Sequence, residues 1–262
     1  MTLFQALVLG IVQGLTEFLP VSSTAHLVIT QNYFGLKGPI LLIFDIVVHL
    51  GTLLSLLVYF RKDFLSFFSN SQNTERKITR RVVWLIFLAT IPTGVIGLLL
   101  KKWMEENFNS LMITVVTLLI NSVILWSVKW VRDGNRREMK NAMDAIWIGI
   151  AQGISILPGI SRSGATCATA LWLKIKAEEA ARFSFLIAIP AIVAATVVVI
   201  PESVQYFSAD MWPVMIAGFV SAFISGYIAI LILFRVMLRG QFHYFAIYTA
   251  LLAIVTFVFS IL

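Results

Sequence analysis

Six long apolar stretches, at 39–60, 82–100, 110–128, 183–200, 212–234 and 242–261, decide the solvent in which this chain must fold. About 20 helical residues cross the hydrocarbon core of a bilayer, and each stretch reaches or approaches that length. With 59% apolar and only 13% charged residues, the chain has too little polarity for a water-soluble domain. The runs are continuous rather than alternating, which argues against the roughly ten-residue strands of a membrane barrel. They predict an all-α polytopic integral membrane protein, with residues 1–262 forming one membrane domain. Leu3 to Val12 is also apolar, but MTLFQ carries no basic residue and no small-residue cleavage pattern follows. That run is therefore expected to stay in the mature protein. Cys167 is the single cysteine, which removes an intrachain disulfide or a thiolate cluster and leaves a small buried packing residue.

Polarity is concentrated where apolar segments should continue. QGLTEFLPVSSTAHL (13–27) places Glu17, Pro20, Ser22, Ser23, Thr24 and His26 between apolar runs, and LPGISRSGAT (157–166) does the same with Arg162. The two regions are related: Ala6, Gly10, Gln13 and Gly14 match Ala145, Gly149, Gln152 and Gly153 at an offset of 139. One residue is lost before Pro158, the counterpart of Pro20, and the offset is restored by Phe44 against Phe183. This reads as an internal repeat with halves of about 1–128 and 140–262.

Each half begins with a polar-tipped segment, 3–36 or 143–176, broken at Leu-Pro. Broken backbone at membrane depth is tolerated where protein or water surrounds it, so both segments are expected to be re-entrant helical hairpins. Three remaining crossings per half would invert the second half relative to the first. Under that topology sixteen Lys and Arg residues fall on one side and only Lys37, Lys101 and Lys102 on the other. The crowded side is expected to be cytoplasmic and both termini extracytoplasmic. The net charge of +7 then needs no nucleic-acid partner to explain it.

The tips carry residues suited to phosphoryl transfer. An arginine at membrane depth needs an anion or a wet cavity, and Arg162 beside a serine-capped helix start is suited to phosphate. Gly159 allows a tight turn before it, and Ser161 and Ser163 can cap the helix after it. In the first tip Ser22, Ser23 or Thr24 can cap the outgoing helix. His26 follows Ser23 by three residues, so a hydroxyl nucleophile and an imidazole could meet. Gln13 and Glu17 share a helical face, and the Glu17 carboxylate could move a proton or hold a divalent cation. Asp45 and His49 form another i, i+4 pair, for which structural pairing is expected. His243 is read as an ordinary interfacial residue.

QGLTEFLPVSSTAH and LPGISRSGAT resemble the two signature motifs of the bacterial undecaprenyl-diphosphate phosphatases, the bacitracin-resistance family, and the resemblance covers essentially the whole chain. It implies an inverted-repeat membrane fold with two re-entrant hairpins. The implied activity is hydrolysis of undecaprenyl diphosphate to undecaprenyl phosphate and phosphate, which recycles the carrier for cell-wall synthesis and confers bacitracin resistance. Glu17, Ser23, His26 and Arg162 would be the catalytic residues, and Gln13, Ser22, Thr24, Ser161, Ser163 and Gly164 would bind substrate. A divalent cation, Mg2+ or Ca2+, would sit at Glu17; Gln13 departs from the many relatives that have a second glutamate there. The nucleophile stays open between Ser23 and His26. The implied partners are a polyprenyl diphosphate lipid and the bacterial inner membrane, with either a monomer or a homo-oligomer admissible. Two rivals are a polyprenyl-phosphate transporter or flippase, suggested by the repeat, and a phosphatase of the acid-phosphatase superfamily. The second lacks its Arg-Pro motif and any histidine between Arg162 and His243.

Overall fold

The computed structural model describes residues 1–38, 40–68, 79–107, 110–131, 136–203 and 206–261. Its first helix, α1 (Leu3–Phe18), starts where the Thr2 hydroxyl accepts the Gln5 N–H and the Gln5 side chain accepts the Thr2 N–H in return. The helix stops one residue short of Leu19-Pro20, because a residue before proline is pushed into extended backbone. Then follow α2 (Ser23–Tyr33), α3 (Ile40–Tyr59), α4 (Arg61–Phe68), α5 (Arg80–Asn107) and α6 (Leu111–Ser127). The rest of the chain forms α7 (Ala142–Ile154), α8 (Arg162–Trp172), α9 (Ala177–Ser203), α10 (Trp212–Leu238) and α11 (Phe245–Ile261).

Among the described residues six helical segments are long and apolar enough to cross a bilayer: Ile40–Tyr59, Arg80–Met104, Leu111–Trp130, Ala177–Pro201, Ala209–Leu238 and Phe242–Ser260. They fall on the six expected stretches, so the protein is an all-α polytopic membrane protein. Its outer surface agrees, since Leu98, Leu99 and Val123 are 74%, 77% and 68% exposed. Such side chains are at ease against lipid and not against water. Between the first two crossings lies the short helix α4, and of the sixteen basic residues assigned to the crowded side Arg76, Lys77 and Arg132 lie outside the described residues.

The tip segments are helix, break, helix. With 11 residues, α2 and α8 are each about 16 Å long, roughly half of a hydrocarbon core. Each packs on the helix that precedes it, α2 on α1 and α8 on α7.

Packing between the halves is exchanged. α1 lies along α10, and α7 lies along α5. Small residues allow it: a methyl group added at Gly10 would come within 2.5 Å of the Gly218 carbonyl oxygen, and one at Gly149 within 2.2 Å of the Ala89 carbonyl oxygen. The Thr93 hydroxyl ties the second pair, sitting 2.9 Å from both the Ala89 and Gly149 carbonyl oxygens. The core between the elements is apolar, built around Phe18, Phe60 and Phe185 with Ala145, Ile148 and Ile187. Cys167 is fully buried in it, as expected.

Candidate active site

The breaks after α1 and α7 face one another. In the first, Ser22 takes a left-handed backbone with φ of 69°, a conformation that costs a non-glycine residue about 1 kcal/mol or more. Its hydroxyl caps α2 by accepting the Ala25 N–H at 3.4 Å. In the second break the left-handed position is Gly159, with φ of 100°, and Ser161 caps α8 by accepting the Gly164 N–H at 3.1 Å. Of the candidate caps, Ser22 and Ser161 serve. Since α2 and α8 start 139 residues apart, the repeat returns to register at these caps, earlier than Phe44.

Three contacts hold the tips together. The Ser161 and Ser163 hydroxyls donate to the Leu19 carbonyl oxygen at 3.4 and 3.1 Å. Asn121, buried in α6, accepts the Ser161 N–H at 3.0 Å and donates to the Pro20 carbonyl oxygen at 3.3 Å. It satisfies one group from each break. The third contact is ionic: the Arg162 guanidinium bonds Glu17 Oε1, and its other amino group reaches the Ala188 carbonyl oxygen of α9 at 3.2 Å. A buried charge in so apolar a setting needs such a partner.

Glu17 is the hub of the site. Its Oε2 accepts from Ser23 Oγ at 2.6 Å and from Gln13 Nε2 at 2.9 Å, and lies 3.8 Å from His49 Nε2. Glu17 is 7% exposed, so these groups replace its water. The i, i+4 spacing of Gln13 and Glu17 is realised, and so is the anionic partner expected for Arg162.

Two expected pairings differ. His26 does not face Ser23: its Nδ1 lies 2.8 Å from the Ser22 carbonyl oxygen and its Nε2 2.7 Å from the Tyr248 hydroxyl of α11. Helical side chains lean toward the N-terminus, which carries the ring back over Ser22, while the Ser23 hydroxyl is drawn across the break to Glu17. Asp45 and His49 do not pair through their side chains either. His49 Nδ1 meets the Asp45 backbone oxygen at 2.6 Å, and the Asp45 carboxylate accepts from Gln31 at 2.8 Å. His49 is thereby freed to approach Glu17. Thr24 is half-buried beside Ser23, and His243 packs on Trp126 and Tyr244.

Asn121, His49 and Tyr248 join the candidate set although the motifs do not contain them. Each is a polar side chain inside an apolar run, and at membrane depth that alone marks a position worth attention.

Among the described residues no cluster of three or more His, Cys, Asp or Glu side chains could hold a metal. An oxygen donor is nevertheless spare: Gln13 Oε1 is buried without a hydrogen-bond partner, next to the Glu17 carboxylate its own Nε2 contacts. Hard oxygen donors of this kind suit Mg2+ or Ca2+ when a ligand supplies the rest of the shell.

The family model for bacitracin resistance protein BacA matches residues 6–255. The chain belongs to the BacA family. This BacA-family chain is similar along its length to curated relatives. The undecaprenyl-diphosphatase of Gemmatimonas aurantiaca is 41% identical over 264 residues, covering 98% of this chain and 97% of the relative. That of Carboxydothermus hydrogenoformans is 41% identical over 259 residues, with 97% and 96% covered. That of Alkaliphilus metalliredigens is 38% identical over 276 residues and covers both chains fully.

Proposed function

We propose that this protein is an undecaprenyl-diphosphatase of the bacterial inner membrane. It releases phosphate from undecaprenyl diphosphate, returns undecaprenyl phosphate to cell-wall synthesis and confers bacitracin resistance. The observation that carries the reading is the Ser23–Glu17–Arg162 contact, which puts a hydroxyl, a proton acceptor and a phosphate-binding cation from two tips at one point.

Ser23 is the nucleophile and Glu17, rather than His26, takes its proton. On binding, the diphosphate competes with Glu17 for the Arg162 guanidinium, whose planar fork suits phosphate oxygens. Glu17 is then relieved of its counter-ion as the hydroxyl proton arrives. Ser23 Oγ bonds the terminal phosphorus, the bond from phosphorus to the bridging oxygen breaks, and undecaprenyl phosphate departs with that electron pair. Water then attacks the phosphoserine and passes its proton to His26 Nε2; the bond from phosphorus to Oγ breaks and Oγ recovers the proton from Glu17. Ser161, Ser163 and the Gly164 amide at the start of α8, with Ser22 and Thr24 opposite, line the phosphate path. A divalent cation would be held by Gln13 and Glu17 with phosphate oxygens, and when bound would screen the charge on the phosphates.

Purified protein in detergent should release phosphate from C15 and C55 diphosphates, and chelator should suppress it. Rapid-quench mass spectrometry should find phosphate on Ser23. Detergent removes compartments, so absence of phosphate release there favours the rival reading, lipid transport.

The same proposal includes an inverted repeat with both termini extracytoplasmic, supported by the sixteen-to-three division of basic residues. Cysteines placed at 206–211 should react with an impermeant thiol reagent from outside the cell and those at 61–68 should not. Equal labelling would overturn the orientation. The native thiol, Cys167, is buried and gives little background.

A further inference from the structure

The His26 ring is held from both ends, and neither holder is a catalytic group. At one end Nδ1 faces the Ser22 carbonyl oxygen at 2.8 Å. A carbonyl only accepts, so in the neutral ring the hydrogen is on Nδ1 and Nε2 carries the lone pair. At the other end Nε2 is 2.7 Å from the Tyr248 hydroxyl, which must therefore donate. The two rings lie parallel, 1° apart in plane and 5.7 Å between centroids, so the phenol fixes the imidazole's plane as well as its polar end. Tyr248 is on α11 and His26 on α2, 222 residues apart in sequence. The two helices are held in register nearby, where Ala25 packs with Val115, Leu118 and Ala253.

We propose that Tyr248 is a positioning residue for the reaction, acting through His26. The Ser22 carbonyl already fixes the tautomer; the Tyr248 hydroxyl holds the ring in one plane, so that the Nε2 lone pair has a set direction when an incoming water replaces the phenol as donor. Without the hydroxyl, Nδ1 keeps its single anchor and the ring swings about it. The inference rests on the reading above that His26 accepts a proton from water.

Tyr248→Phe keeps the stacked ring and deletes the donor. With C15 diphosphate, kcat is expected to fall about 10-fold, the effect of losing one hydrogen bond that orders a reacting group, while KM stays within about 2-fold. In a His26→Ala background the same substitution should cost nothing further, because the residue through which it acts is gone. Histidine 15N spectra in detergent micelles give a readout independent of turnover: with three histidines the signals are assignable, His26 should carry its hydrogen on Nδ1 in both proteins, and its Nε2 resonance should shift in Tyr248→Phe as the hydrogen bond from the phenol is lost. A loss that multiplies with His26→Ala, or a His26 signal indifferent to Tyr248→Phe, overturns the proposal. Full turnover by His26→Ala alone overturns instead the role given to His26, so the two failures are told apart.

Discussion

Ser22 and Ser161 do the same work in the two tips, each capping an 11-residue helix after a left-handed turn. One residue later the tips part company, with Ser23 in the first and Arg162 in the second. The first tip adds Glu17 before its break and His26 after it, side chains that can accept or donate protons. The second adds Ser163, the Gly164 amide and a permanent cation. A repeated backbone has thus been used to bring unlike chemistry face to face. The attraction between the Glu17 carboxylate and the Arg162 guanidinium also closes the gap between the tips. On the proposed mechanism that contact gives way to substrate phosphate when the lipid binds.

The largest effect should come from the first tip. Ser23→Ala or Glu17→Gln is expected to lower turnover by about 1,000-fold or more, since each removes a group that makes or breaks a bond to hydrogen in the transition state. Single-turnover phosphate release measures it, and a Ser23→Ala enzyme within 10-fold of native would pass the nucleophile's role to His26. Arg162→Lys in the second tip keeps the charge but loses the fork, with an expected fall of about 10- to 1,000-fold. To separate binding from structure, Glu17→Gln with Arg162→Met should recover melting temperature relative to Glu17→Gln alone, because the orphaned cation is gone, and recover no turnover. Asn121→Ala breaks the clip between the tips. It strands the Ser161 N–H and the Pro20 carbonyl, so a destabilisation of about 1–3 kcal/mol is expected in a thermal melt, with a milder drop in activity. The smallest effect should separate the two equivalent glutamines. Gln152→Leu is expected to leave turnover within about 2-fold, while Gln13→Leu lowers it by about 10-fold, because only Gln13 touches Glu17. Equal losses would erase the division of labour between the tips.

Much of this was readable in the chain itself, for reasons that also explain what was not. The six crossings follow from hydropathy over about 20 residues, a local property that bilayer thickness turns into structure. The break at Leu19-Pro20 follows from proline sterics, whereas α7 already stops at Ile154, ahead of Leu157-Pro158; the Gln13–Glu17 contact follows from helical spacing. Arg162's need for an anion follows from its depth. The partners of Ser23, His26 and His49 follow from none of these, since each is decided by which helix lies opposite. Ser23 and His26 are correctly spaced to meet along one helix, yet a carboxylate across the break and a phenol 222 residues away compete successfully. Asn121 shows the same limit: a lone amide in LMITVVTLLINSVILWS announces a buried polar contact without saying with what.

The exchanged packing of α1 on α10 and α7 on α5 reaches back to the time of synthesis. The glycine face of α1 leaves the ribosome well before its cover, which is made about two hundred residues later. At ordinary elongation rates of about 5–20 residues per second the nascent chain waits roughly 10 to 40 s for that cover. For most of this interval the first tip, with its carboxylate and hydroxyls, also lacks its counter-ion, since Arg162 is made shortly before α10. Final assembly of the site is therefore a late event in the life of the polypeptide, and a chain stopped before α10 would keep both signature motifs and have no enclosed site to put them in.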